Sequence, residues 1–216
     1  MMNLAEYRRT ATRLADYLPW AALVGSGVVL NKDGSFQRTA KFRGPDLDSA
    51  VAAELVAVAG RISNAFRRLG AGWSIFVEAQ RSEAATYPAS AFPDAASALV
   101  DAERKAGFEE AGKHFVSSYF LTILFLPPAE EAARAESWLY EGREQSGVNP
   151  WEVLRAFIDR TDRVLALLDG FMPECRWLHD GETLTYLHST ISTNRHRVRV
   201  PEVPMHLDAL LADQPL

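Results

Sequence analysis

Leu4, Tyr7, Ala11, Leu14 and Leu18 recur at alternating steps of three and four, the apolar stripe of an amphipathic helix that stops before Pro19. Arg8, Arg9 and Arg13 flank that stripe. Ala21 to Leu30 and Ser35 to Arg43 then read as two strands around Asn31, Lys32, Asp33 and Gly34, a polar loop whose terminal glycine suits a hairpin. Beyond Gly44 and Pro45, with Asp46 and Asp48 as helix-start signals, Val51, Leu55, Val58, Ile62, Phe66 and Leu69 form a long apolar helix face stopped by Gly70. Gly72 to Ala79 alternates as a strand, with Trp73, Ile75 and Val77 on one side and Arg81 at its polar end. Pro93 and Asp94 open a helix that runs to about Gly107. Phe115 to Leu126 is apolar on both faces, which predicts a strand at the centre of the sheet, and Pro127 and Pro128 end it.

The second half turns helical. Helices are predicted over Ala129 to Tyr140 and Pro150 to Leu168, the latter with Val153, Leu154, Phe157, Ile158, Leu165 and Leu168 on its apolar side. A short helix spans Gly181 to Ser192, and the proline-rich stretch from Pro201 reads as a connector with a brief turn over Leu207 to Leu211. The expected fold is α+β: a largely antiparallel sheet of about four strands covered by helices, with a helix-rich C-terminal half. The domain reading follows: residues 1–19 an amphipathic helix, 20–200 an α+β domain whose helical part begins near 129, and 201–216 the connector.

Composition narrows the function classes. With 48% hydrophobic residues, 216 residues bury a substantial core, and a formal charge of −5 argues against a general nucleic-acid coat. A single cysteine, Cys175, allows neither an internal disulfide nor a cysteine metal cluster. The apolar runs Trp20 to Leu30 and Phe115 to Leu126 fall short of the roughly 20 residues that cross a bilayer. Arginines occupy the place of a signal-peptide core, so a cytoplasmic chain is expected, any membrane association being peripheral.

Gly107, Gly112 and Lys113 have the spacing of a phosphate loop, yet His114 stands where Ser or Thr would hold magnesium. Glu109 and Glu110 would sit inside the cradle and repel phosphates. A helix precedes this segment and a strand follows it, the reverse of the order that aims a helix N-terminus at phosphate. It reads as a helix ending at Gly112. Neither catalytic, cofactor-binding nor metal-ligating residues are assigned: His114, His179, His188, His196 and His206 lack the spacing of a ligand set. Glu109 with Glu110, and Glu130 with Glu131, read as solvated helix faces. Ser26 between Gly25 and Gly27 lacks the surroundings of a nucleophile, and the two glycines read as strand positions that allow close packing.

Two stretches are candidate contact elements. Leu4, Tyr7, Arg8, Arg9, Ala11, Arg13, Leu14 and Leu18 could meet a partner's groove or an anionic membrane surface, although such a stripe also packs on its own domain. Arg195, Arg197 and Arg199 would share one face if extended and could grip phosphate or DNA; a solvated edge strand guarded by arginines explains them equally. Overall acidity favours the edge strand and disfavours direct DNA binding.

The order of short pieces carries a resemblance. The hairpin with Lys32, Asp33 and Gly34, then Phe42 to Asp46, Leu69 to Trp73, Glu78 and Arg81 resembles the amino-terminal region of TrbE/CagE/VirB-type transfer ATPases. Phe92 to Asp94, Asp101 to Arg104, Tyr119 to Thr122, Pro127 and Pro128, Leu184 to His188, and Val203 to Asp208 follow in the order such a region has, nearest the conjugal-transfer TrbE branch. The resemblance implies a non-catalytic docking and oligomerisation domain of a type IV secretion (conjugal DNA transfer) ATPase, placed before a motor that is absent up to Leu216. ATP and magnesium are then expected in that missing motor. The implied partners are inner-membrane subunits of the secretion machine and further copies of the chain, and the implied location is peripheral at the inner membrane. The competing reading is a stand-alone small enzyme, which requires Glu78, Arg81, Arg104 and His114 to gather in one cleft.

Overall fold

The computed structural model describes residues 13–84, 86–128, 150–203 and 205–212. Six strands form one antiparallel sheet: β1 (Trp20–Gly25), β2 (Val28–Asn31), β3 (Phe36–Arg43), β4 (Trp73–Ala84), β5 (His114–Phe125) and β6 (Glu174–Trp177). The order is β1-β2-β3-β5-β4, and β6 continues the line of β2 along the same edge of β3. The helices are α1 (Leu14–Tyr17), α2 (Ala52–Phe66), α3 (Ala95–Glu110), α4 (Pro150–Asp169), α5 (Asp180–Ile191) and α6 (Leu207–Ala212).

The α+β class and the predicted hairpin are both present. Gly34 takes φ 80° and donates to the Asn31 carbonyl at 3.0 Å, while the Asn31 amide donates to Ser35 Oγ at 2.9 Å. Two strands were not legible. Ala21 to Leu30 is not one strand but β1 and β2, folded back at Ser26 and Gly27, where Gly27 adopts φ 65°. β6 has only four residues, two of them charged, and is extended because it pairs with the second half of β3.

Strand parity sorts the side chains onto two faces. On one face Phe36, Ala40, Leu121, Ile123 and Trp73 meet α4, whose Val153, Leu154, Phe157, Val164 and Leu168 are buried at helical spacing. Phe157 stacks on Phe36 at 5.6 Å and on Trp73 at 5.7 Å between centroids. α2 joins this layer only through its end: Ala65, Phe66 and the following Leu69 pack, whereas Val51, Leu55 and Val56 are exposed. The predicted long apolar face is therefore half covered.

The opposite face carries a second core. Val29 of β2 packs with Leu178, Leu184, Tyr186, Leu187 and Val198, joined by Leu18 and Trp20. Leu207 and Leu211, each 1% exposed, lie there too, so the turn expected within the connector is a helix packed into the domain. Lys32 fixes it by an ion pair to Asp208 at 2.8 Å.

β5 is central, as predicted, but only over the part that β3 reaches. Pairing with β3 stops at Tyr119, so His114 to Ser118 pair with β4 alone, and this partner extends β4 beyond Arg81 to Ala84. The resulting two-stranded ribbon carries α3, none of whose residues is buried. The helix predicted over Ala129 to Tyr140 lies outside the described residues.

Candidate functional site: a basic groove

α5 begins beside β6 because the sequence supplies both halves of a helix-start box. His179 Nδ1 accepts from the Glu182 backbone N–H at 3.4 Å, and Glu182 accepts the His179 N–H at 3.3 Å. Arg176 of β6 holds the same carboxylate with two hydrogen bonds, of 2.7 and 2.8 Å. That bond to Arg176, reinforced by the His179 N–H against some burial, draws the Glu182 carboxyl down to about 2 and raises Arg176. The turn before β2 is tied to the same helix end: Gly27 N–H donates to Asp180 at 2.7 Å.

Further along α5, a polar chain crosses to the sheet. The Thr39 and Thr122 hydroxyls meet at 2.9 Å, Thr122 lies 3.4 Å from the Tyr186 hydroxyl, and Tyr186 donates to Glu78 at 2.8 Å. Burial, and then the Glu78 carboxylate, push the Tyr186 phenol up to about 12, so it is a fixed donor. Gln80 continues the chain, its amide donating to Glu78 and Ser189 at 2.9 Å each, and its carbonyl accepts Arg195 at 2.7 Å.

Between these fixtures lies a groove of about 950 Å³. Its floor is the α5-side face of four strands: Gln80 and Ser82 of β4, Ser118 and Phe120 of β5, Lys41 of β3 and Arg176 of β6. α5 gives one wall with His179, Thr185 and Ser189, and Asn194 to Val198 give the other. That segment is anchored by buried Val198, whose N–H donates to Thr185 Oγ1 at 3.1 Å. His188 is buried, its ring 4.4 Å from that of His196; burial and then His196 lower its pKa, and its Nδ1 has no hydrogen-bond partner.

The predicted arginines separate here. Arg195 and Arg197 line the groove; Arg199 is exposed and is not among the lining residues. The segment Arg195 to Val200 is not the edge strand expected, since its N–H and side-chain contacts go to α5 and β4 instead of a neighbouring strand. Lys41, Arg176 and His179 were missed by sequence reasoning. Only the register of β3 with β6 reveals that Lys41 and Arg176 lie opposite one another.

Of the first contact stretch, Leu4, Tyr7, Arg8, Arg9 and Ala11 lie outside the described residues. Arg13 and Leu14 are exposed, whereas Leu18 is 5% exposed and packs into the domain's own core. The residues required for the small-enzyme reading are dispersed. Glu78 faces α5, Arg81 lies over the Phe115 ring on the other face, and His114 stacks on Phe108 at 3.8 Å. β4 alone separates Glu78 from Ala84, the partner of His114, by about 20 Å.

The segment from Gly107 to His114 is the C-terminus of α3. Ala111 N–H donates to the Gly107 carbonyl at 3.0 Å, Gly112 takes φ 84°, and β5 follows. Lys113 pairs loosely with Glu83 at 3.7 Å. Carbonyls, the negative end of the helix dipole, face this turn. Buried Cys175 is no better placed for chemistry, its thiol pushed up to about 11 by burial and then by Asp169 and Glu174. Among the described residues no group of His, Cys, Asp and Glu is arranged to hold a metal, and no helix is long and apolar enough to cross a membrane.

The fold is thus a three-layer α+β domain with a long ribbon arm and a basic groove. A family model described as the type IV secretion system ATPase VirB4/TrbE, N-terminal domain, matches residues 27–133, and the chain belongs to this family. Among its relatives is the conjugal transfer protein TrbE of Rhizobium radiobacter, 31% identical over 228 residues that take in 98% of this chain. This chain spans 28% of that relative's length. A second relative, a probable conjugal transfer protein TrbE from Sinorhizobium fredii (strain NBRC 101917 / NGR234), is 38% identical over 146 residues, 66% of this chain and 98% of the relative.

Proposed function

We propose that this chain is a non-catalytic docking and oligomerisation domain, holding the motor of a conjugal-transfer ATPase against inner-membrane subunits of a type IV secretion machine. ATP and magnesium then belong to the motor and not to these residues. The observation that carries this reading is the arm. A helix of 16 residues with none buried is marginal in water by itself, and α3 is held mainly by Phe108 on His114 and Tyr87 and by Tyr87 donating to Asp101 at 2.6 Å. The arm also exposes Leu99, Val100, Phe115 and Val116, apolar surface that a partner would cover. Family membership supports the setting, and the dispersal of Glu78, Arg81, Arg104 and His114 counts against the small enzyme.

The test is a Leu99→Glu, Val100→Glu double variant, followed by sedimentation velocity alone and by co-purification with co-expressed inner-membrane subunits of its transfer system. Association is expected to fall at least tenfold while circular dichroism and melting stay unchanged. Undiminished self-association together with undiminished co-purification would refute docking through the arm.

A further inference from the structure

The groove is provided with more cation than the protein itself uses. Its carboxylates are already matched: Glu182 by Arg176, Glu78 by Tyr186 and Gln80, and Glu174 between Lys41 and Arg176 at 3.7 Å from each. Two guanidinium groups are left over. Arg195 rests on the neutral Gln80 carbonyl, and Arg197 has no ion-pair partner among the described residues. Lys41 keeps only its loose contact with Glu174. The Nδ1 of His188, a side chain 1% exposed that lines the groove, is a buried polar atom with no partner. Such atoms are rare in folded proteins and mark a place where another molecule completes the hydrogen bonding.

The donor set decides the ligand class. Guanidinium and ammonium groups stand beside the hydroxyls of Ser82, Ser118 and Ser189, a combination suited to oxyanions with several acceptor oxygens. The cations are spread from β6 to β4, about 14 Å over three strand spacings, which matches more than one anionic group. A volume of about 950 Å³ accommodates a small organic ligand. The geometry points to a binding site for a phosphate-bearing ligand, gripped by Lys41, Arg195 and Arg197 across the groove between α5 and the sheet. This site lies on the opposite side of the sheet from Arg81 and Phe115 of the arm, and it stands whether or not the arm docks.

Two sources share this chemistry, a free phosphorylated small molecule and the headgroup of an anionic lipid. Calorimetric titration with inorganic pyrophosphate addresses the first, and co-sedimentation with phosphatidylglycerol vesicles, against phosphatidylcholine vesicles, addresses the second. Saturable binding is expected in at least one arm. Arg197→Ala and Lys41→Ala should each weaken it about tenfold, the effect of losing one charge-assisted hydrogen bond. Arg197→Lys should retain part of it, and Arg199→Ala, outside the groove, should leave it unchanged. Melting of each variant confirms that the fold is intact. Pyrophosphate binding without vesicle retention assigns the small molecule; retention on the anionic vesicles alone assigns the headgroup. Absence of saturable binding in both arms overturns the proposal, as does an equal loss with Arg199→Ala, which would reduce the effect to diffuse surface charge.

Discussion

Replacing Gly27 with Ala tests how tightly the three layers are joined. Gly27 sits at φ 65° in the turn between β1 and β2, and a Cβ built there lies 2.0 Å from the Leu178 carbonyl oxygen. A left-handed backbone costs a non-glycine residue about 1 kcal/mol. The clash adds more, because Leu178 cannot yield freely: it is buried, and its N–H donates to the Thr39 carbonyl at 2.9 Å. If the turn retreats instead, the bond from Gly27 N–H to the Asp180 carboxylate is lost, about 2 kcal/mol for a hydrogen bond to a charged group. The sum is about 3 kcal/mol, which at a urea slope of about 2 kcal/mol per molar moves the unfolding midpoint down by about 1.5 M. Equilibrium unfolding followed by circular dichroism at 25 °C measures it. Gly60→Ala is the control: within α2, with nothing inside 4 Å of the new methyl, it should raise stability by about 0.5–1 kcal/mol. A Gly27→Ala midpoint within about 0.3 M of the parent would show that the turn floats free of β6 and α5, and the argument from close approach would fail.

Phe157→Ala removes a ring 1% exposed that stacks on both Phe36 and Trp73, and should cost about 3–5 kcal/mol by the same unfolding assay; a cost below about 1 kcal/mol would mean that α4 is not the lid of this core. Glu182→Gln tests the helix-start box through pH. Since Glu182 is held at about 2 instead of 4.5, its contribution is complete above the ordinary carboxylate pKa and is lost as pH falls towards 2. The full shift would correspond to about 3 kcal/mol, and solvent around the half-exposed Arg176 reduces this to about 1 kcal/mol. The parent should therefore exceed the variant at pH 7 and converge with it near pH 2.5; parallel curves across that range would sink the assignment.

The elements legible in the sequence were those whose pattern is local. α4 shows its stripe because every fourth position meets one surface, and the Asn31 to Gly34 hairpin shows because a single residue, Gly34, must take a left-handed conformation. β6 was illegible for the opposite reason. Glu174, Cys175, Arg176 and Trp177 have no strand-like pattern of their own and are extended only because Phe42 and its neighbours offer a free edge. The same dependence hid most of the groove. Arg195 and Arg197 could be picked out as neighbours in the chain, but Lys41 joins them only through the registers of β3 with β5 and β5 with β4, which place it on the same face as Gln80.

The half-covered face of α2 has a related cause. Its stripe from Val51 to Leu69 is continuous in sequence, so periodicity predicts burial along its whole length. Burial also needs an opposing surface, and α4 reaches only the Ala65 end. Val51, Leu55 and Val56 are left exposed, as are Leu99 and Val100 on α3. An amphipathic pattern therefore records which face of a helix is apolar, not whether the same chain covers it. In a domain proposed to join a larger machine, such a mismatch between a helical stripe and its burial is the signal that separates surface for partners from the domain's own core.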